Sequence, residues 1–164
     1  MTSTKTGTNP ERTEDQVLRL PHEPPMVLLS GCEPASAGEA VDAWVDVTPD
    51  SPFFDHEAGG VPGCVALEYM AQAAALFIGR IRAAEGLPPS IGFVLGTRRM
   101  QIAEPLFFPG VRYAVHVDCT YRDESFGSFE CSVSGADGAV FATAQMTAFQ
   151  PEDGSGSGEL EKFA

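Results

Sequence analysis

The sequence predicts an α+β fold in which an antiparallel sheet is wrapped around one long central helix. The longest apolar stretch of the chain, at 62–82, is rich in the helix-forming residues Ala, Leu, Met, Glu and Gln. The segments on both sides of it alternate between apolar and polar residues, as half-buried strands do. A helix that is apolar almost all round belongs in a core, and a curved antiparallel sheet encloses a single such helix economically.

Length and composition indicate the domain organisation. With 164 residues, of which 43% are hydrophobic, the chain suits one domain with its own core. We expect that domain at 16–150, between a disordered N-terminal tail at 1–15 and a flexible, Gly/Ser-rich and acidic tail at 151–164. The N-terminus lacks the apolar segment of a signal peptide, so we expect a cytoplasmic protein.

Charge and cysteine usage argue against several classes of function. A formal net charge of −13 disfavours binding to nucleic acid or to an anionic membrane. The four cysteines form no CxxC pair and the three histidines have no metal-ligand spacing. We therefore expect reduced cysteines, most of them packing residues, and no metal site.

Two strands and a loop are predicted before the helix. The apolar run at 26–30 follows a proline-rich turn and is predicted as a short buried strand. The segment 40–47 is predicted as a second strand with Asp42 and Asp46 outside, where Trp44 and Val45 compete for the inner face. The loop DSPFFDHEAGGV then leads into the helix.

The helix itself is predicted at 62–84. Pro62 suits the first helical position, where its missing N–H costs nothing, and a Gly and two Pro residues at 86–89 force a break after the last turn. About 20 apolar residues could also span a membrane. Glu68 near the start and Arg80 near the end argue against a lipid environment.

The rest of the domain is predicted to be antiparallel sheet. The segment 91–110 gives one or two strands and contains Arg98–Arg99, the only adjacent basic pair of the chain. Three segments with a period of two residues follow, separated by turn residues. They are RYAVHVDC at 112–119, SFECSV at 128–133 and AVFATAQMTAF at 139–149.

One carboxylate on the helix requires an explanation. Cys64, Glu68 and Gln72 are spaced i, i+4, i+8 and therefore form a stripe on one helix face. Glu68 is either a partly exposed residue of the first turns, favoured by the helix dipole, or an acid/base group at the mouth of a pocket. The free N–H groups of the helix N-terminus could then hold an oxygen anion beside it.

Three ordered motifs resemble one known family. PGCVALEYMAQ at 62–72 resembles the motif P-G-[VC]-x-x-x-[ED]-x-M-x-Q of the hot-dog-fold 3-hydroxyacyl-acyl carrier protein (ACP) dehydratases of fatty acid synthesis. LPHEPPMVLL at 20–29 is similar to their L-P-H-x-x-P-[FM]-x-L-L, and 95–110 is similar to the strand that supports the acyl tunnel. The resemblance covers 18–149 and is closest to the branch of aryl-polyene and other polyene pathways. It implies a hot-dog fold and conversion of a 3-hydroxyacyl thioester to a trans-2-enoyl thioester.

The loop before the helix departs from the family pattern. The motif F-F-x-G-H-F-P-G-x-P-I-x-P-G places the catalytic His eight residues before the Pro of Pro-Gly, where Phe54 stands here. The nearest histidine is His56, six residues before Pro62, in a loop that is shorter by two residues over that interval. The resemblance carries the role of base to His56, whereas an ordinary loop histidine between Asp55 and Glu57 is the alternative.

The resemblance implies a mechanism with two groups of opposite task. His56 would remove the C2 proton, while Glu68 would protonate the departing hydroxyl or position the water. Backbone N–H groups at Gly63 and Cys64 would stabilise the developing enolate, and Gln72 would orient the Glu68 carboxyl. No metal or organic cofactor is required. In the family each site lies at a dimer interface, with the His and the acid on different subunits.

The implied partners are an acidic ACP and a second hot-dog subunit. Arg98, Arg99 and Arg112 are candidate ACP contacts, although Arg98–Arg99 would equally suit a solvated strand edge. The second subunit makes either a homodimer or a heterodimer. Two other functions stay open: a non-catalytic partner subunit of a heterodimeric dehydratase, and a hot-dog acyl thioesterase. For His22, in the N-terminal motif, the resemblance suggests only a structural role.

Overall fold

A six-stranded antiparallel sheet and one long helix dominate the computed structural model, which describes residues 20–33 and 38–151. The strands in chain order are β1 (Gly31–Cys32), β2 (Ala40–Asp46), β3 (Val61–Pro62), β4 (Phe93–Ile102), β5 (Leu106–Phe107), β6 (Arg112–Arg122), β7 (Phe126–Ser134) and β8 (Val140–Phe149). The large sheet has the order β1-β2-β6-β7-β8-β4, whereas β3 and β5 pair separately. The predicted fold class is confirmed.

The helix α1 (Ala66–Ala84) packs against the inner face of the sheet. The segment Gly63–Ala84 is long and apolar enough to cross a membrane, but half of its most apolar window is buried inside the protein. It is therefore the core helix of the domain. The helix ends where the sequence predicts, with Gly86 in a left-handed conformation (φ +72°) and the Leu87 N–H donating to the Arg82 carbonyl at 2.8 Å.

The helix starts later than predicted. Pro62 is not its first residue, because Pro62 pairs with Leu106 in the β3–β5 ladder and has an extended backbone (φ −56°, ψ 138°). The Gly63 N–H continues this pairing by donating to the Pro105 carbonyl at 2.7 Å. A single 3₁₀ turn, Gly63–Val65, then leads into α1.

The strand predicted at 26–30 is wrong in position, since regular pairing begins only at Gly31. Leu28 and Leu29 are buried as expected. The Leu28 N–H, however, donates to the side-chain oxygen of Gln72 at 2.9 Å instead of to a neighbouring strand. The first part of this segment is therefore attached to the helix, whereas its last residue, Ser30, donates its N–H to the Trp44 carbonyl of β2 at 2.8 Å.

Strands β2, β6, β7 and most of β8 follow the alternating pattern, whereas β4 does not, and Val140, predicted on the inner face of β8, is exposed. In β2, Val45 faces the core and Trp44 the outer side. The buried residues of the last three strands are those predicted by their period: Tyr113, Val115, Val117 and Cys119 in β6, Phe129, Cys131 and Val133 in β7, and Ala142, Ala144 and Met146 in β8. All four cysteines are free, and three of them are buried.

An aromatic cluster packs around the first turn of the helix. Phe107 contacts the rings of Tyr69, Tyr113 and Phe141, with centroids 5.5, 4.9 and 5.7 Å away. Burial, reinforced by the neighbouring Tyr113, raises the pKa of Tyr69 to about 12, so its phenol is neutral at physiological pH. The cluster fixes β5 against α1 and thereby fixes the first turn of the helix. The predicted tails, 1–15 and 151–164, lie outside the described residues except for Pro151.

Candidate active site

A cleft of about 1320 Å³ runs along α1, between the helix and strands β4, β7 and β8. Glu68 lines the cleft near the N-terminal end of α1, and Glu85 lines it at the C-terminal end of the helix. At 1.5 Å per residue, these two positions are roughly 25 Å apart along the axis. Small and apolar side chains line the length between them: Ala71, Ala74, Ala75, Ile78, Phe129, Met146 and Ala148. Arg82, Asp123 and Glu124 also line the cleft. Its apolar part suits a long apolar chain.

Glu68 presents its carboxyl group to this cleft. The side chain is 36% exposed. Its Oε1 accepts a hydrogen bond from the Gln72 side-chain N–H at 2.9 Å, and the Nε2 of His22 lies 3.5 Å from the same oxygen. The other oxygen, Oε2, has no partner among the described residues. One oxygen is therefore held by the protein while the other is open to a bound molecule.

Gln72 explains how Glu68 is held. Its side chain is fully buried, and its carbonyl oxygen accepts the Leu28 N–H at 2.9 Å. Its amide nitrogen donates to the Met26 carbonyl at 2.7 Å and to Glu68. The bond from Leu28 determines which end of the amide faces the carboxyl group, so Gln72 is locked as a donor to Glu68.

His22 was not predicted as a neighbour of Glu68. Its ring lines the same cleft and is 31% exposed. Its second nitrogen, Nδ1, is buried and has no hydrogen-bond partner among the described residues. No spacing in the sequence points to this contact, because the two residues are far apart in the chain. The only available signal was the shared family resemblance of their two motifs.

His56 lies in the exposed loop before β3 and does not line the cleft that contains Glu68 of the same chain. Its ring contacts Phe54 edge-on, with centroids 5.0 Å apart. The neighbouring Asp55 carboxylate accepts the backbone N–H groups of Glu57 and Ala58, both at 2.9 Å, so the loop's own backbone engages that charge. Within one subunit the structure does not bring the two predicted catalytic side chains together.

The two predicted oxyanion donors differ in whether their N–H groups are available to a substrate. The Gly63 N–H is already bonded to the Pro105 carbonyl, so its predicted role does not fit this structure. Cys64 is exposed and stands in the first turn, where helix N–H groups lack an intrahelical acceptor. Its N–H is therefore the remaining candidate, one turn before Glu68.

The three arginines predicted to contact ACP differ in whether their side chains already have a partner. Arg112 forms a two-pronged ion pair with Asp46, at 2.6 and 2.7 Å, and lies over the Trp44 ring at 4.9 Å. Its charge is already paired, which disfavours the predicted role. Arg98 and Arg99 are exposed on β4, and their guanidinium groups have no hydrogen-bond or ion-pair partner among the described residues.

A sheet wrapped around one helix, with a glutamate held by a glutamine one turn later, is the arrangement of a hot-dog-fold dehydratase. A family model of ApeP-like proteins, described as ApeP dehydratase, matches residues 17–159. The chain belongs to this family. The predicted class of enzyme and its polyene-related branch are confirmed.

Relatives and solved structures agree with this family. The 3-hydroxyacyl-ACP dehydratase FabZ of Anaeromyxobacter sp. (strain K) is 30% identical over 132 residues, which are 79% of this chain and 83% of the relative. The dehydratase heterocomplex ApeI:P from Xenorhabdus doucetiae contains a chain that is 34% identical, with a TM-score of 0.79 over 89% of this chain and 94% of that one. A hypothetical thioesterase from Streptococcus pneumoniae, solved with coenzyme A, has a TM-score of 0.57 over 73% of this chain and 84% of that one. Being 13% identical, it shares the fold alone.

Proposed function

We propose that this dehydratase removes water from a 3-hydroxyacyl thioester carried by ACP and releases the trans-2-enoyl thioester. The observation that carries the proposal is the Glu68 carboxyl group, which has one oxygen fixed by Gln72 and one open to a long apolar cleft. The activity in the name of the FabZ relative supports the same substrate class. The acyl chain would lie along the cleft beyond Glu68.

The proposed elimination needs one acid and one base. His56 of a second subunit, neutral at the start, takes the proton from C2, and the electron pair left behind forms the C2=C3 bond. The C3–O bond breaks as protonated Glu68 gives its proton to the hydroxyl group, which leaves as water. The proton on His56 returns to Glu68 through solvent before the next turnover. The Cys64 N–H stabilises the negative charge that develops on the thioester oxygen.

A second subunit is part of this proposal because His56 does not line the cleft of its own chain. Strand β4 is at the edge of the sheet, and its outer edge has no strand partner among the described residues. Val94, Leu95 and Ile102 on this strand are 42, 55 and 44% exposed. An unpaired edge strand with exposed apolar side chains suits pairing with another sheet. The ApeI:P heterocomplex supports a heterodimer as the alternative assembly. In a heterodimer, a base of the other subunit would act with Glu68, and His56 would act with the other subunit's acid.

The test uses two variants, Glu68→Gln and His56→Ala, assayed with 3-hydroxyacyl-ACP. In a homodimer each should lower turnover by about a hundredfold or more, which is the usual scale for a positioned acid or base. Glu68→Gln keeps the volume and the contact with Gln72, so folding should be unchanged. The purified chain is assayed alone and together with a second hot-dog dehydratase subunit from the same genome.

Whether the chain is active alone or only with a second subunit shows whether the enzyme is a homodimer or a heterodimer. If the chain is active alone, mixing the two variants should restore about a quarter of the wild-type activity, because half of the random dimers contain one intact site of two. If it is active only with a second subunit, the heterodimer has one site that uses Glu68 and one that uses His56. Glu68→Gln should then lower the activity by removing the first site, and combining it with His56→Ala should abolish the activity. Wild-type turnover of Glu68→Gln in every active assembly would contradict the proposal and favour a non-catalytic partner subunit.

A further inference from the structure

We propose that His22 is a positioning residue for Glu68, and that it and Gln72 together fix Oε1 so that Glu68 delivers its proton from Oε2. The inference rests on the proposed function, since it concerns the atom from which that acid acts. It starts from the contact between His22 Nε2 and Glu68 Oε1, at 3.5 Å, which no spacing in the sequence predicts.

The tautomer of His22 follows from what surrounds its ring. Glu68 is the only hydrogen-bonding neighbour that the described residues offer the ring, and it faces Nε2. The buried Nδ1 has no acceptor there, so a proton on Nδ1 would be an unsatisfied buried donor. A neutral ring therefore carries its proton on Nε2, where it points towards the carboxyl group. Catalytic hydrogen bonds that are long in a free enzyme shorten in the substrate complex.

This tautomer makes His22 a donor and not a base. Its only lone pair is on Nδ1, which is buried and has no access to a substrate in the cleft. His22 therefore cannot take the C2 proton while it holds Glu68. The role of base stays with His56, and the two histidines have separate tasks.

Two donors now meet at one oxygen of Glu68. Gln72 cannot turn its amide around, because its carbonyl oxygen accepts the Leu28 N–H at 2.9 Å. Both the Gln72 N–H and the His22 N–H therefore require Oε1 as an acceptor. A proton on Oε1 would compete with these donors for the same space. In the protonated acid the proton belongs on Oε2, the oxygen that has no partner among the described residues and is free to face a substrate.

The test compares two amide variants that place an N–H at different points of the former ring. In His22→Gln the side-chain nitrogen reaches the position of Nε2, whereas in His22→Asn it reaches only that of Nδ1. We expect His22→Asn to lower kcat about tenfold with KM unchanged, because the contact between Nε2 and the acid is lost. His22→Gln should recover kcat to within about threefold of wild type. His116→Asn, which changes a histidine on the outer face of β6, is the matched control and should have wild-type kcat.

A second comparison separates positioning from a merely structural effect. Combined with Glu68→Gln, His22→Asn should cost no further activity, because no acid is left to position. Equal kcat in the Asn and Gln variants, a change in KM alone, or the same loss in both backgrounds would overturn the inference. If instead Glu68→Gln has wild-type turnover, the proposed function fails first, and the two failures are thus distinguishable.

Discussion

At the scale of single residues, the site depends on one buried amide. Gln72 occupies the core, where an unpaired polar group is costly, yet all of its hydrogen-bonding groups have partners on the N-terminal segment or on Glu68. The same side chain thus attaches the segment 26–28 to the helix and orients the acid. Stability and catalysis are coupled at this position.

Replacing Gln72 with Met tests this coupling, because Met fills a similar volume without polar atoms. The Leu28 N–H and the Met26 carbonyl would lose their partner, so we expect the free energy of unfolding in urea to fall by about 2–4 kcal/mol. Activity should fall as well, since Glu68 loses its donor. Gln145→Met is the control, because among the described residues the Gln145 side chain bonds only to Glu130 on the outer face, at 3.2 Å. Equal destabilisation by both changes would contradict the coupling.

Sequence alone predicted the part of the site that is local in the chain. Glu68 and Gln72 are one helical turn apart, so a helix is sufficient to place them together. His22 and the occupied Gly63 N–H were not predictable in this way, because both depend on contacts between distant segments. The roles of His56 and Glu68 stay predictions.

At the scale of elements, the β3–β5 ladder determines where the helix begins. A Cβ atom at Gly63 would lie 2.6 Å from the Glu104 carbonyl oxygen and 2.7 Å from Ile102 Cγ2. Only glycine lets the two segments approach this closely. The alternating strands were predictable from their own residues, whereas the helix start was not, since β3 pairs with a strand more than forty residues later.

We therefore expect Gly63→Ala to destabilise the protein by about 1–3 kcal/mol, the usual cost of overpacking. The backbone at 104–105 must move to admit the methyl group, which also displaces the Cys64 N–H and lowers kcat. Unfolding in urea and turnover are the two measurements. Gly38→Ala, where no described atom lies within 4 Å of the new methyl group, should change stability little. A Gly63→Ala protein with wild-type stability would show that this close approach is unimportant.

At the scale of the whole molecule, the distribution of charge limits where ACP can bind. The chain has a net charge of −13, so an acidic carrier is repelled by most of its surface. In the part of the chain that the structure describes, four arginines already have partners. Arg80 and Arg82 donate to backbone carbonyls, and Arg112 and Arg122 pair with carboxylates. Arg98 and Arg99 are therefore the arginines of this part whose guanidinium groups have no protein partner.

This distribution predicts the effect of the double change Arg98→Ser, Arg99→Ser. With 3-hydroxyacyl-ACP as substrate, KM should rise about tenfold at low salt while kcat stays unchanged, because exposed charges at the edge of an interface mainly govern encounter. With the same acyl group on free pantetheine, KM should not change. Added salt should raise the wild-type KM and narrow the difference in KM between the wild type and the double variant, because it screens exposed charges.

The control is Arg112→Ser, which removes a positive charge that Asp46 already neutralises. A similar rise for Arg112→Ser would indicate that net charge alone matters, and a rise with the pantetheine substrate would mean that the two arginines act on the cleft and not on the carrier.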